Sequence, residues 1–298
     1  MTAAIEARSL GKRYGRRRWA LENCTLSIPE GTVVALVGPN GAGKTTLLHL
    51  AAGLLEPTAG TIEVLGRAPG ADAAQLGAVG FVAQDAPAYA RMTVDQHLRM
   101  GALLNPSWDD ALATQRVAQL GLDPDQRAGS LSGGQRAQLA LSLAVAKRPD
   151  LLLLDEPLAS LDPLARRDFL RVLMDVVAER GVSVVLSSHL VTDLERVCDH
   201  LVVLVGSRVG IDGDVSELLA THRRLSGPRV DTATLPASFD VVEESHTERQ
   251  TMLLVRTDDP IIDPAWTVAP VTLDDLVIAY MGRRDRAVSS RSPLEVVR

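Results

Sequence analysis

The sequence has no long apolar run. Its richest stretches, Leu151 to Leu154 and Leu201 to Val205, are strand-sized and far below the ~20 residues a membrane-spanning helix needs. A chain of 298 residues is therefore not expected to cross a bilayer by itself. Cysteine is nearly missing too, with Cys24 and Cys198 the only two. Residues 1–5 offer neither a signal peptide nor a lipidation box. Free thiols in a reducing cytoplasm are the expectation, not a disulfide framework. Lysine occurs three times against 28 arginines, which reflects genome composition more than function. A surplus of positive charge is lacking as well. Residues 1–224 carry 23 Lys and Arg against 25 Asp and Glu, and residues 225–298 carry 8 against 12. A net charge of −6, divided −2 and −4 between those parts, argues against nucleic acid as a partner. The run Arg16, Arg17, Arg18 is followed by no apolar region and reads as a solvated face.

What is present is ordinary for a globular protein: 46% hydrophobic and 23% charged. The length fits one large domain with a smaller companion. Short apolar runs at 5–10, 25–28 and 33–37 open the chain. Three strand-then-helix alternations follow: 32–37 into 45–54, 151–155 into 163–179, and 182–186 into 191–197. Fully apolar strands in such alternation imply a parallel sheet covered on both faces. In the second helix Phe169, Leu170, Val172, Leu173, Val176 and Val177 make the stripe of a buried face. From about 85 to 148 only helical patterns occur (94–104, 109–120 and 134–147), which suggests a helical subdomain beside the sheet. After about residue 225 prolines punctuate short β-like runs at 240–242 and 251–256. A last helix is predicted over 272–281, with Thr272 as N-cap and Asp275 closing a capping box. Residues 283–298 are polar and predicted to be a flexible, solvated tail, with attraction to anionic lipid as the alternative.

The residues with chemistry begin at Gly38-Pro39-Asn40-Gly41-Ala42-Gly43-Lys44-Thr45, a full match to the phosphate-binding loop pattern. Glycines let backbone N–H groups converge on phosphate oxygens, and the following helix presents its positive end to the same anion. In such loops the lysine, here Lys44, reaches the β- and γ-phosphates, and the hydroxyl, here Thr45, ligates Mg²⁺. Leu151 to Leu154 followed by Asp155 and Glu156 forms an apolar strand ending in two carboxylates. Asp155 is placed to hold the hydration shell of Mg²⁺, and Glu156 to polarise an attacking water. Leu131-Ser132-Gly133-Gly134-Gln135 precedes a helical pattern. It reads either as a second anion site or as a simple N-cap.

In order and spacing these motifs resemble the ATP-binding cassette (ABC) ATPases over about residues 3–220, and Leu131 to Gln135 is similar to the signature sequence of that family. The resemblance implies ATP and Mg²⁺ as cofactors. It implies a nucleotide-binding set of Tyr14, Gly38, Pro39, Asn40, Gly41, Ala42, Gly43, Lys44, Thr45, Thr46, Gln84, Ser132, Gly133, Gly134, Gln135 and Asp162. Tyr14 is similar to the aromatic that stacks on adenine, with a core tyrosine as the alternative. Gln84 resembles the Q-loop glutamine, Asp162 belongs to a D-loop-like Ser160-Leu161-Asp162, and His189 resembles the switch histidine. Glu156, His189 and Lys44 are the implied catalytic set; Thr45, Gln84 and Asp155 (through water) are the implied Mg²⁺ set. His49, His97, His200, His222 and His246 read as ordinary core or surface residues.

The implied fold class is α/β: a P-loop NTPase of the ABC nucleotide-binding type, with a mixed sheet core and helical subdomain over 1–224. A small α+β domain over 225–282 and the tail 283–298 complete it. The family logic implies two cassettes, as homodimer or heterodimer, that sandwich ATP and drive a separate transmembrane permease from the cytoplasmic face of the membrane. The 104–109 stretch, the 187–189 and 193–199 stretches, and Val271 to Leu276 resemble bacterial ABC-2-type exporters, often encoded beside antibiotic or drug efflux permeases. Export is therefore the direction expected. An importer ATPase is the nearest alternative, and a non-hydrolysing ABC-type regulatory or binding module the other. No heptad insertion and no second phosphate loop point to chromosome or translation ATPases. The C-terminal residues are expected to pack on their own or the partner cassette and to support dimerisation, so that deleting 226–298 leaves ATP binding intact but weakens dimer formation.

Overall fold

The computed structural model describes residues 3–15, 18–85, 88–189, 191–192, 194–232 and 235–289. Two long strands, β1 (Ala3–Tyr14) and β2 (Arg18–Pro29), pair antiparallel. Next, β3 (Val33–Val37) runs into the glycine-rich loop and α1 (Lys44–Ala51). Strand β4 (Ala59–Val64) returns to pair with β1, closing a three-stranded sheet β2-β1-β4. Helix α2 (Ala73–Ala78) leads to β5 (Val79–Val82). The expected helical block follows, with α3 (Val94–Leu104), α4 (Asp110–Gln119) and α5 (Gly133–Ala146). The chain then alternates through β6 (Leu151–Leu154), α6 (Pro163–Arg180), β7 (Ser183–Ser188) and β8 (His200–Val205), and adds β9 (Arg208–Asp214).

The main sheet has the order β5-β6-β7-β3-β8-β9. Its first five strands are parallel, and β9 is antiparallel to β8. Strands β3, β6, β7 and β8 are buried along their whole length, so both faces are covered. Strand alternation divides the side chains between two cores. Val34, Leu36, Leu151 and Leu153 face α1 and the antiparallel sheet. Ala35, Val37, Leu152 and Leu154 face Phe169, Leu173 and Val176 of α6 and the apolar side of α5.

After α7 (Val215–Thr221) comes the C-terminal unit: β10 (His222–Pro228), β11 (Asp240–His246), β12 (Gln250–Arg256), β13 (Thr267–Ala269) and α8 (Leu273–Ser289). Its antiparallel sheet has the order β11-β12-β10-β13. Leu225, Leu253 and Val255 form a cluster of their own with Phe239 and Trp266. On the other side Val242 and Leu254, with Leu273, Leu276, Val277 and Tyr280 of α8, share the core of the main sheet. The capping box of α8 is as expected, with the Asp275 N–H donating to Thr272 Oγ1 and the Thr272 N–H to Asp275 Oδ2.

Three expectations are corrected. The described residues of 191–197 form a bend and turns in place of a continuous helix. Val191 and Leu194 are drawn into the core, and the Glu195 and Cys198 N–H groups donate to the Val191 and Leu194 carbonyls as separate turns. Helix α1 stops at Ala51, short of 54, where Gly53 adopts φ 73°. Helix α8 carries on to Ser289, past the expected end at 281. Residues 290–298 lie outside the described residues, as do Arg16, Arg17 and Asp193. Cys24 and Cys198 are free, as expected. Burial pushes the Cys198 thiol up to about 11.

Candidate active site

The parallel order β5-β6-β7-β3 brings four loops into one row at the C-terminal ends of adjacent strands, where open α/β sheets gather their ligand-binding groups. Gln84 follows β5, Asp155 and Glu156 follow β6, His189 follows β7, and the loop 38–43 follows β3. A cleft of about 630 Å³ lies over this row, lined by Asn40 to Thr46, Gln84, Glu156 and His189. Tyr14 and Arg18 line it too.

Close approach explains the loop's glycines. A Cβ on Gly38 would sit 2.3 Å from the Leu204 carbonyl oxygen, and one on Gly43 would sit 2.4 Å from that of Ala20. Gly41 and Gly43 also hold φ of 81° and 112°, which L side chains disfavour. Pro39 accepts the Ala42 N–H at its carbonyl, closing the turn. Thr46 is buried under the loop at 9% exposure, while Thr45 is exposed to the cleft.

Lys44 is folded inward. Its Nζ donates to the Gly38 carbonyl at 2.7 Å and lies 3.2 Å from Glu156 Oε1. The other oxygen of Glu156 meets His189 Nδ1 at 2.7 Å. Lys44 and Glu156 are both deeply buried, whereas His189 is half exposed at the cleft mouth. Glu156 holds φ 48°, an uncommon backbone for a non-glycine residue and one that clusters at functional sites. Its N–H donates to Ser187 Oγ at 2.7 Å, and that hydroxyl donates to Asp155 Oδ1 at 2.8 Å. Ser187 thus ties the backbone of Glu156 to the carboxylate of Asp155, a role the sequence reading did not assign. Asp155 is 1% exposed and reaches the cleft only indirectly, as a ligand acting through water must.

The donor set of Thr45 hydroxyl, Gln84 amide oxygen and the Asp155 carboxylate is hard and oxygen-based, which suits Mg²⁺. The residues present therefore fit that ion.

Tyr14 is not a core residue. It is 48% exposed at the cleft rim, with Lys12 Nζ 5.9 Å from its ring centroid. Arg18 pairs with Tyr14 across the β1–β2 hairpin, and its Nη2 is 3.6 Å from where a Gly41 Cβ would lie. Arg18 is exposed, as a solvated face requires, and it also lines the cleft beside the glycine-rich loop. Only the cross-strand pairing, invisible in the linear sequence, could have found it.

The signature residues are elsewhere. Ser132, Gly133, Gly134 and Gln135 line a separate cleft of about 540 Å³ together with Ser160 and Asp162. None of its residues lines the phosphate cleft. Ser132 caps α5 in a capping box, its Oγ accepting the Gln135 N–H while Gln135 Oε1 accepts the Ser132 N–H. That cap uses the hydroxyl as acceptor and leaves its O–H as a donor. Asp162 likewise caps α6, accepting the N–H groups of Leu164 and Ala165. One chain therefore carries two clefts that do not meet.

Known proteins share these features. The family model described as "ABC transporter" matches residues 21–159. The phosphonates import ATP-binding protein PhnC 2 of Synechococcus sp. (strain JA-2-3B'a(2-13)) is 36% identical over 232 residues, covering 70% of this chain and 85% of that protein. The Fe(3+) ions import ATP-binding protein FbpC 2 of Rhodococcus jostii (strain RHA1) is 34% identical over 227 residues, covering 74% of this chain and 65% of that one. The solved structure of cbiO1 from Clostridium perfringens, part of the ABC transporter complex cbiONQ, matches with a TM-score of 0.64 and 25% identity. It covers 74% of this chain and 92% of its own. Both sequence relatives carry import in their names, so the expected export direction and its link to antibiotic efflux find no support in them.

Proposed function

As a member of the ABC transporter family, this chain is an ATP-binding subunit with ATPase activity, and from that premise we propose that it powers uptake through a separate membrane permease. The observation that carries the hydrolytic reading is the row Lys44–Glu156–His189 inside the cleft of the phosphate loop. Lys44 holds the phosphates once it leaves Glu156 Oε1, a carboxylate that occupies it meanwhile. Glu156, freed of Lys44, accepts a proton from the attacking water. His189 orients that carboxylate through its Nδ1 bond and stands at the mouth towards the terminal phosphate. Ser187 fixes the backbone of Glu156 and the carboxylate of Asp155 together. Mg²⁺, held by Thr45 and Gln84 with Asp155 through water, supplies charge neutralisation at the phosphates when bound. Tyr14 receives the base at the rim, and Arg18 adds a cation beside the loop.

Two separate half-sites in one chain call for two copies, or a copy and a paralogue. The phosphate loop of one cassette then faces Ser132 and Gly134 of the other. Because the O–H of Ser132 is left as a donor by its cap, and the first turn of α5 has unpaired N–H groups to offer, that end suits a phosphate. Import is the direction favoured by the names of the relatives. The segment 271–276, which resembles exporter sequences, is used as the cap and first turn of α8 against its own cassette and speaks for neither direction.

Phosphate release by the purified chain tests the chemistry. Glu156→Gln should lower turnover by about 10²–10⁴-fold while leaving ATP bound; hydrolysis near the wild-type rate would rule out Glu156 as the base. For direction, the chain is co-purified with its permease and reconstituted in vesicles. Substrate should move towards the side that carries the cassette, and movement away from it would overturn the import reading.

A further inference from the structure

Besides the two clefts already described, helix α6 carries a third surface. Pro163, Arg166, Leu170 and Met174, with Arg167 and Arg171 beside them, follow i, i+3, i+4, i+7 spacing and so share one side of the helix. That side borders Thr192, Glu195, Arg196 and Val197, and between them lies a groove of about 690 Å³. Its floor is apolar, made by Leu170, Met174 and Val197, which back onto the main core. Its rim is cationic, with Arg166, Arg167, Arg171 and Arg196. Among the described residues the one carboxylate on the rim, Glu195, is directed to the backbone N–H of Leu273 at 3.4 Å. Neither Arg167 nor Arg196 has an ion-pair partner among the described residues. An apolar floor ringed by arginines selects an apolar tip flanked by carboxylates.

The chain itself contains such a tip. Residues 257–264 read Thr-Asp-Asp-Pro-Ile-Ile-Asp-Pro. The loop is anchored at its base, where Thr257 is buried and its N–H donates to the Thr221 carbonyl. Ile261 turns inward to the cluster of Leu225 and Val255. Ile262 turns outward and is 85% exposed, with Asp258, Asp259 and Asp263 around it, all exposed. Pro260 and Pro264 bracket the two isoleucines and restrict the loop, and Asp263 accepts the Ala265 N–H. A loop already held in shape loses little entropy on docking. Within one copy the loop lies beside Ala220 and Arg223, and none of its residues lines the arginine groove.

We propose that the arginine groove of one copy receives the 257–264 loop of a second copy, with Ile262 on the apolar floor and Asp258, Asp259 and Asp263 facing the arginines. This contact would border the signature cleft, with which the groove shares Arg171, and tie the C-terminal unit of each chain to the cassette of the other. It rests on the two-copy reading of the preceding subsection. Its complementarity of charge sets partner choice and register more than raw affinity.

The test uses the full chain in the Glu156→Gln background with ATP, and measures dimer dissociation by sedimentation equilibrium. Arg167→Glu with Arg196→Glu should raise the dimer Kd about tenfold, and raised salt should do the same to the unreversed chain. A chain carrying Asp258→Arg and Asp259→Arg should show the same loss alone. Mixed with the arginine-reversed chain, it should recover affinity through the swapped pairs. A Kd unchanged within about twofold overturns the contact. A loss that the swap fails to recover overturns it too, and gives the groove to another occupant such as the permease. Nucleotide binding and, in the Glu156 chain, phosphate release are measured on the same variants. If these persist while the swap fails, only the docking contact is wrong; if ATP produces neither dimer nor hydrolysis, the two-copy reading falls with it.

Discussion

Arg18 shows how much of a site can rest on one side chain that its sequence context disguises. It stands in a run of three arginines and is exposed like solvated surface, yet it lines the cleft beside the glycine-rich loop. Arg18→Ala is expected to weaken ATP and ADP binding about three- to tenfold and adenosine binding hardly at all, because the lost group is a partly solvated cation. Titration of all three ligands at about 0.05 and 0.5 M salt checks this, since the loss should shrink as screening grows. Equal losses for adenosine would mean that Arg18 acts on the base or on the fold instead. Lys44 and Glu156 present the opposite case. Each was legible from its motif, but the sequence could not tell that they pair with one another, because they are strand-end neighbours across β7 and not along the chain.

Elements set those residues in place, and two of them invite measurement. In the phosphate loop Gly43 combines φ 112° with a Cβ position 2.6 Å from the Leu21 side chain and closer still to the Ala20 carbonyl. Gly43→Ala should therefore abolish nucleotide binding, in equilibrium titration, with the secondary structure retained. At the other end of the molecule His222 joins three elements. Its Nδ1–H donates to the Leu218 carbonyl at 2.7 Å and its Nε2 accepts the Tyr280 hydroxyl at 2.9 Å. Burial comes first among the causes that hold this imidazole below its ordinary range. The fold therefore prefers it neutral. The stability it contributes is present above about pH 6.5 and is lost as pH falls through its depressed folded value, since the unfolded chain takes up the proton first. Urea melts at falling pH should show this slope, and His222→Gln should flatten it. Tyr280→Phe should cost about 1 kcal/mol at neutral pH by removing one donor from a buried acceptor. That these two residues meet was not readable, for His222 looked like any core histidine and is one.

At the scale of the whole molecule the C-terminal unit is less separable than its composition suggests. Prolines and a net charge of −4 mark it as distinct, and its strands and capping box were foreseeable. Yet Val242, Leu254 and the apolar side of α8 complete the core of the main sheet. Removing 226–298 should lower the thermal midpoint of the cassette by more than about 5 °C, since an apolar face of the main sheet is uncovered. A truncated chain that melts within about 2 °C of the full one would return the unit to the status of an appendage. ATP binding, which the deletion is expected to spare, is a separate readout on the same truncated chain.

The sequence by itself determined the parts whose physics is local. A glycine-rich loop needs small residues at consecutive positions, a buried strand needs an apolar run, and a capping box needs Thr272 three residues before Asp275. Such signals survive in one dimension because the interacting groups are neighbours in the chain. Tertiary structure alone decided what meets across the sheet. Parallel order put Gln84, Glu156, His189 and the phosphate loop in one row, a hairpin brought Arg18 to that row, and Ser132 was left on a different face. Those outcomes depend on strand order and helix packing between segments that are not neighbours in the chain. No spacing in the sequence encodes them.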